Sequence, residues 1–302
     1  MKKKYSKKIF KRIALIGIGL IGSSIARRVK RDNLADHISV TARSQKSLDK
    51  AVELGFADSV TLEQKDSVKN ADLIVICSPI GVYKDIIKNI RTSLKPGAII
   101  TDVGSVKQAV IRDLSPHIPE GVQFVPAHPV AGTEHSGPES GFPELFEDRW
   151  CIITPTDITN IESIDKVKQF WQSLGSNIEI MEPDHHDLVM AMTSHLPHLI
   201  AYTIVGTATD LEKSLANEVI KFSAGGFRDF TRIAASDPTM WRDVFLNNRD
   251  AVLEMLQRFS EDITALQRAI RWGEGDTLYE LFSKTRKARR GVIEAKQEKM
   301  YD

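Results

Sequence analysis

His128 stands in PAHPVAGTEHSG and Ser105 in TDVGSVK, each just past a short β-branched run. If those runs are parallel strands, both residues lie at the carboxyl edge where open α/β sheets hold ligands. A neutral imidazole steadied by a hydroxyl is suited to take a proton from a substrate alcohol while hydride leaves the same carbon. The alternative is a loop histidine satisfied by its neighbours. Thr133, Glu134, His135 and Ser136 make the same loop polar, either facing substrate or serving turn geometry. Farther on, Asp187, Ser194 and His198 share one helix face at spacings of seven and four, with His195 beside Ser194. The histidines of HLPH read as polar groups lining a pocket in preference to metal ligands, because His185 and His186 lie more than about two turns away and no third ligand follows at a matching spacing. Gly225 and Gly226 predict a close-approach turn, followed by Arg228 and Arg232 one helical turn apart. A planar guanidinium there suits a substrate carboxylate; a surface pair with Asp229 is the plainer account.

A second chemistry is written near the amino terminus. The basic start and apolar run resemble an export signal, but Gly17, Gly19 and Gly22 fall in the order GxGxxG, after a strand-like Ile13–Ile16 and before a helix-like stretch from Ser23 to Lys30. That context suits a dinucleotide: Gly17 permits the turn, Gly19 lets the backbone approach a pyrophosphate, and Gly22 lets helix pack on strand, with Leu20 and Ile21 between them. The alternative is a glycine-dotted apolar segment without a ligand. The acidic residue expected about 20 positions later, which would select NAD through the ribose hydroxyls, is replaced by Ala42-Arg43-Ser44. That favours NADP, unless Arg43 merely stacks on adenine in an enzyme that takes either NAD or NADP. The leading lysines are expected to be a frayed, solvated terminus.

The elements that must carry these residues follow an alternating pattern. Strands are predicted at Arg12–Ile18, His37–Arg43, Asp72–Ser78, Ala98–Val103 and Val122–Pro126, with helical spacing at Ser47–Leu54, Tyr83–Arg91 and Val106–Leu114. This is an α/β, doubly wound arrangement. WCIIT at 150–154 and NIEIM at 177–181, around a helix from Ile161 to Leu174, are expected to extend the same sheet. Residues 1–182 form this dinucleotide-binding domain, and residues 183–302 an all-helical domain for substrate binding and dimerisation. Its first helix, extending to about Glu212, is bent at Pro197. Its longest runs unbroken from Pro238 for about nine turns with an apolar stripe that includes Trp241, Ile263 and Ile270, and a last helix follows Gly273 and Gly275. A stripe that long predicts burial against a second copy of the chain.

At 302 residues, two domains are expected, and a formal charge of +1 gives no general attraction to nucleic acid or to a membrane surface. The basic run KTRKARR at 284–290 reads as a solvated helix face. Cys77 and Cys151 lack metal-type spacing and read as buried thiols in a reducing, cytoplasmic setting. No apolar run is expected to reach the roughly 18 charge-free residues of a membrane span.

Taken in order, GIGLIGSS, DLIVICSPI, TDVGSVK, HPVAGTEHSG, SHLPH and GGFRDFTRIAASDPTMWRDVF resemble the prephenate and arogenate, or cyclohexadienyl, dehydrogenases of tyrosine biosynthesis, through almost the whole chain. The resemblance implies a Rossmann-type domain joined to a helical domain that intertwines in a homodimer, with the active site between domains. It implies that His128 accepts the C4 hydroxyl proton, that Ser105 is its hydrogen-bonding companion near the nicotinamide, and that Arg232 grips a substrate carboxylate. His195 and His198 would line the substrate cleft, Asp187 would support one of them, and Thr133 and Glu134 would sit at the entrance near the partner, with Gly225 also at the substrate. Gly17, Gly19, Leu20, Ile21, Gly22, Arg43, Ser44, Ser78, Pro79 and Ser105 would hold the dinucleotide. The missing acid after the second strand sets the chain apart from NAD-using members, and its length is expected to leave no room for a regulatory domain or fused mutase. Two other readings are a β-hydroxyacid or imine reductase of the same plan and a dinucleotide-sensing dimer without chemistry.

Overall fold

Alternate residues of the β-branched runs face opposite sides of one sheet in the computed structural model, which describes residues 8–210, 218, 221–222 and 224–294. Strands β1 (Arg12–Ile16), β2 (His37–Thr41), β3 (Ser59–Thr61), β4 (Leu73–Ile76), β5 (Ile99–Asp102) and β6 (Gln123–Val125) are parallel, in the order β3-β2-β1-β4-β5-β6. Ile13, Leu15, Leu73 and Val75 enter one core cluster, while Ala14, Ile16, Ile74 and Ile76 enter another. A strand buried on both faces reads as a continuous apolar run, which is why these segments were legible. β3 was not expected; three residues at the sheet edge leave too short a pattern.

Strand order reverses between β1 and β4, so the carboxyl ends of β1, β4 and β5 stand side by side. From them emerge the glycine turn leading into α1 (Leu20–Arg31), the Cys77–Pro79 segment before α4 (Tyr83–Ile90), and the Val103–Val106 loop before α5 (Lys107–Leu114). Helices α2 (Gln45–Glu53) and α3 (Gln64–Ser67) complete the first half. Helix α6 (Ile161–Leu174) has the expected bounds because both ends are encoded locally: the Asn160 side chain accepts from Ser163 N, and Gly175 closes the helix at φ +108°.

WCIIT and NIEIM do not extend the main sheet. They form β8 (Trp150–Ile153) and β9 (Asn177–Ile180) of a second sheet with β7 (Ala127–Pro129), in which β7 and β8 are antiparallel. The cause lies at Pro126, which has no N–H to continue a ladder. Its carbonyl accepts from Thr154 N at 3.1 Å, and Ala127 N turns to Asp102 Oδ1 at 3.1 Å, so the chain exchanges β5 for β8 as its neighbour.

Past Pro183 the described elements are all helical. Helix α7 (Pro183–Met190) passes through a π turn at Ala191–His195 into α8 (Leu196–Thr209). The wide turn immediately precedes Pro197 and absorbs its missing donor. It also rotates α8 about its axis, so the face expected to unite Asp187, Ser194 and His198 is broken: Asp187 and His195 are buried, while Ser194 and His198 are half-buried. Helix α9 (Gly225–Thr231) leads through a 3₁₀ turn at Arg232–Ala235 to α10 (Pro238–Asn247), α11 (Arg249–Trp272) and α12 (Gly275–Glu294). The single long helix expected from Pro238 is thus two, parted at Asn248, whose side chain bonds elsewhere. Trp241 and Val244 of α10 join the core cluster of Ile76 and Tyr83.

Among the described residues one helix, Pro183–Thr209, is long and apolar enough to cross a membrane by length and composition, against the expectation of none. The run Leu188–Thr209 contains no Asp, Glu, Lys or Arg. Its His186, Asp187 and His195 are nevertheless buried and bonded to protein groups. By contact, the chain forms two compact units, one ending at Val252 and the other beginning at Leu253. The leading lysines at 2–4 and 7, and the expected end of the first helix at 211–212, lie outside the described residues.

Candidate active site

The glycine turn meets the steric demands of a dinucleotide. Gly17 has φ +99°, and a Cβ there would lie 2.8 Å from Cys77 O. A Cβ on Gly22 would collide with Gly17 O, so both glycines are required by the fold. Gly19, which caps α1 without a side-chain bond, would project a Cβ into space with nothing within 4 Å. A glycine that no protein atom demands, at the open amino end of a helix, leaves room for a phosphate to approach the backbone. Ser78 donates to Ile16 O at 3.1 Å, tying the β4 exit to the β1 exit, with Pro79 exposed beside it. Arg43 is exposed just past β2, and Ser44 caps α2 by accepting from Ser47 N at 3.3 Å. The two cysteines are free; Cys151 is buried and Cys77 half-buried, and burial pushes both thiols up.

His128 lies on β7, 8% exposed. Its Nδ1 meets His186 Nε2 at 2.8 Å, with the rings edge to face. His186 Nδ1 in turn meets Asp187 Oδ1 at 2.8 Å. Ser105, half-buried in the loop after β5, is not the partner of His128 Nδ1; that place belongs to His186. The Asp187 carboxylate bonds to neither His195 nor His198; it is the Asp187 backbone carbonyl that reaches His195, through Asn248. Asp187 Oδ1 also accepts from Lys107 N at 2.7 Å and its Oδ2 from Gln108 N at 3.0 Å, so the carboxylate holds His186 while capping α5. The reason is the packing of α7 against α5, which brings Asp187 to the first free amides of that helix.

Beneath His128 lies a second buried group. Lys107 and Asp102 are fully buried, with Lys107 Nζ 2.6 Å from Asp102 Oδ2 and 2.7 Å from Ala127 O. Asp102 also receives Gly104 N at 2.8 Å and Ala127 N at 3.1 Å. The end of β5, the Ser105 loop and the start of β7 are thereby fixed to one another. Lys107 and Asp102 both fall in TDVGSVK, but nothing in their spacing marks them, and His186 enters the sequence argument only as too distant from HLPH to complete a metal site. Among the described residues no group of three or more His, Cys, Asp or Glu side chains is arranged to hold a metal.

His195 is oriented by the residue that parts α10 from α11. Asn248 Nδ2 donates to Asp187 O at 2.8 Å, which fixes the amide, and faces His195 Nδ1 at 3.0 Å. His195 therefore accepts at Nδ1 and carries its proton on Nε2, a buried donor with no partner among the described residues. His198 Nδ1 donates to Ser194 O at 2.9 Å, and its ring stacks on Trp241 at 3.6 Å. Burial lowers the pKa of all four histidines: His128 well below the ordinary value, helped by His186, Lys107 and His195; His186 and His198 below it; and His195 to about 4. Desolvation penalises the charged form, so these rings rest neutral.

Arg232, exposed at the 3₁₀ turn after α9, pairs with Glu134 at 2.7 Å, not with Asp229, and Thr133 accepts from His135 N at 3.3 Å. Gly225 and Gly226 open α9. A Cβ on Gly226 would meet nothing within 4 Å, and one on Gly225 only Asp229 Oδ2 at 3.6 Å.

Comparison with known proteins accounts for most of the chain. Residues 25–180 match the family profile described as prephenate dehydrogenase, nucleotide-binding domain, and residues 182–284 match prephenate dehydrogenase, dimerization domain. A cyclohexadienyl dehydrogenase of Zymomonas mobilis subsp. mobilis is 42% identical over 93% of this chain and 96% of its own length. A prephenate dehydrogenase of Bacillus subtilis is 32% identical over 93% of this chain and 76% of its own. The crystal structure of prephenate dehydrogenase from A. aeolicus, in complex with hydroxyphenyl propionate and NAD+, superposes with a TM-score of 0.87 at 33% identity, covering 96% of this chain and all of that one. On these matches and the nucleotide-binding turn that precedes them, the chain belongs to the prephenate dehydrogenase family.

Proposed function

We propose that this protein catalyses the oxidative decarboxylation of prephenate, arogenate or both, giving 4-hydroxyphenylpyruvate or tyrosine and carbon dioxide. The observation that carries the reading is His128, a buried neutral imidazole whose Nδ1 is engaged by His186 and whose Nε2 is bonded to no described residue. The dinucleotide, when bound, supplies the hydride acceptor. Nε2 of His128 takes the C4 hydroxyl proton as the C4–H electron pair departs, and C4 becomes a carbonyl. The bond from C1 to the ring carboxylate then breaks; its electron pair enters the ring, carbon dioxide leaves, and the C4 oxygen recovers a proton as the phenol. Aromatisation makes the sequence effectively irreversible. The protein's work is to orient C4 and keep the base neutral.

Gly17, Gly19, Leu20, Ile21 and Gly22 would hold the pyrophosphate, with Ser78, Pro79 and Ser105 near the nicotinamide. Arg232 offers its guanidinium to a substrate carboxylate, with Thr133, Glu134 and Gly225 close to the same group. The Nε2–H of His195 donates to a substrate oxygen, and His198, flattened on Trp241, forms a wall. Asp187 acts through His186 and not on substrate directly. The missing acid after β2 and the exposed Arg43 favour NADP over NAD. Function divides near residue 182, and the segment beyond it, matched by a dimerization-domain profile, pairs two copies of the chain. The free cysteines accord with a cytoplasmic setting.

A paired assay tests the reading: purified protein with prephenate and with arogenate, each with NAD+ and with NADP+. Reduction of nicotinamide together with carbon dioxide release from at least one acid is expected. Tight dinucleotide binding without turnover of either acid would contradict it.

A further inference from the structure

Resting on the assignment of His128 as the base, the hydrogen-bond chain behind it decides which of its nitrogens is basic. Asp187 accepts from Lys107 N and Gln108 N, and a carboxylate so placed has only lone pairs to offer His186 Nδ1, 2.8 Å away. His186 must then donate from Nδ1, which leaves its Nε2 as an acceptor. That acceptor lies 2.8 Å from His128 Nδ1, so His128 donates from Nδ1 and keeps a bare lone pair on Nε2. We infer that His186 and Asp187 are positioning residues that fix the Nδ1–H tautomer of His128 and so aim its lone pair at the substrate hydroxyl. Every donor and acceptor in the chain has one role, and reversing any link reverses them all. A base held in the wrong tautomer presents a proton where it should accept one.

The arrangement also joins the two halves of the fold. Asp187 belongs to α7, its amide partners to α5, and His128 to β7. His186 and Asp187 are buried, and their side chains bond to one another, to His128 and to the amides of Lys107 and Gln108, not to the glycine turn. Their loss should therefore separate turnover from binding.

The test uses the 302-residue protein with the dinucleotide that supports turnover, NADP+ or NAD+, bound. Proton–nitrogen correlation spectra of protein labelled at its histidine nitrogens report which nitrogen of His128 carries the proton, with His128→Asn identifying the signal. The expected result is a proton on Nδ1 and a bare Nε2 in the unmutated protein; a proton on Nε2 would overturn the inference with no further variant needed. His186→Leu, which removes the acceptor, is expected to lower kcat on the order of a thousand-fold while KM and the dissociation constant of that dinucleotide hold. His186→Gln keeps the polarity, an amide N–H toward Asp187 and an amide oxygen toward His128, and should stay within about ten-fold of the unmutated rate. Leu and Gln variants of equal activity would overturn the relay. If His128→Asn retained turnover, the assignment of the base would itself fail; if His128→Asn were inactive and His186→Leu fully active, only the relay would.

Discussion

Four histidines sit in or behind the site, and the protein keeps them neutral by removing water from around them. For the base this is useful, because an imidazole that resists protonation still accepts the substrate proton in mildly acidic solution. The acid limb of kcat/KM is therefore expected below pH 6.5, the ordinary imidazole value, as a pH–rate profile will report. The same depression has a stability cost with a definite sign. Above pH 6.5 each ring is neutral folded or unfolded, so it contributes nothing; as pH falls, the unfolded chain takes up protons that the folded one refuses. Stability should decline from about pH 6.5 toward the folded value of about 4 at His195, on the order of 3 kcal/mol for that ring. Chemical denaturation across that range measures it, and His195→Asn should flatten the slope. A slope unchanged by that substitution would mean the ring is not held neutral. Beside the cofactor turn, Arg43→Ala should weaken NADP+ binding more than NAD+ binding in titrations of both; equal losses would remove Arg43 from cofactor choice.

Among the elements, the connections matter more than the helices and strands themselves. The Lys107–Asp102 pair ties β5, the Ser105 loop and β7 together. Removing one partner leaves a buried charge unmatched, so Lys107→Met is expected to cost about 3–5 kcal/mol in urea unfolding. A loss within about 0.5 kcal/mol would show that the pair does not hold this junction. Legibility in the sequence divides along the same line. The glycine turn and α6 announce themselves because their causes are local: glycines at fixed spacing, Asn160 before the helix and Gly175 after it. The switch of β7 into a second sheet depends on Pro126 O meeting Thr154 N, and the π turn shifts the face that spacing alone would assign. Asp187 caps a helix 80 residues earlier, a partnership no periodicity reveals. His128 stood out by its place just past a predicted strand and Arg232 by the glycines before it, whereas His186, Asn248 and Lys107 are recognisable only through their partners.

At the scale of the molecule, α10 closes against the sheet through Trp241 and Val244, so the ring that stacks on His198 also belongs to the core. Site and fold share residues there, and a substitution at Trp241 should lower stability as well as turnover. In the second unit, Ile263 and Ile270 of α11 are exposed in a single chain. Sedimentation is expected to give a dimer, and Ile263→Glu with Ile270→Glu to shift it toward monomer; a dimer indifferent to both would place the interface elsewhere. The most direct measurement is single-turnover nicotinamide reduction by His128→Asn with saturating prephenate or arogenate. A fall of about 10²–10⁴-fold with dinucleotide affinity intact is the expected result, and a rate close to that of the unmutated protein would contradict the role of His128 as the base.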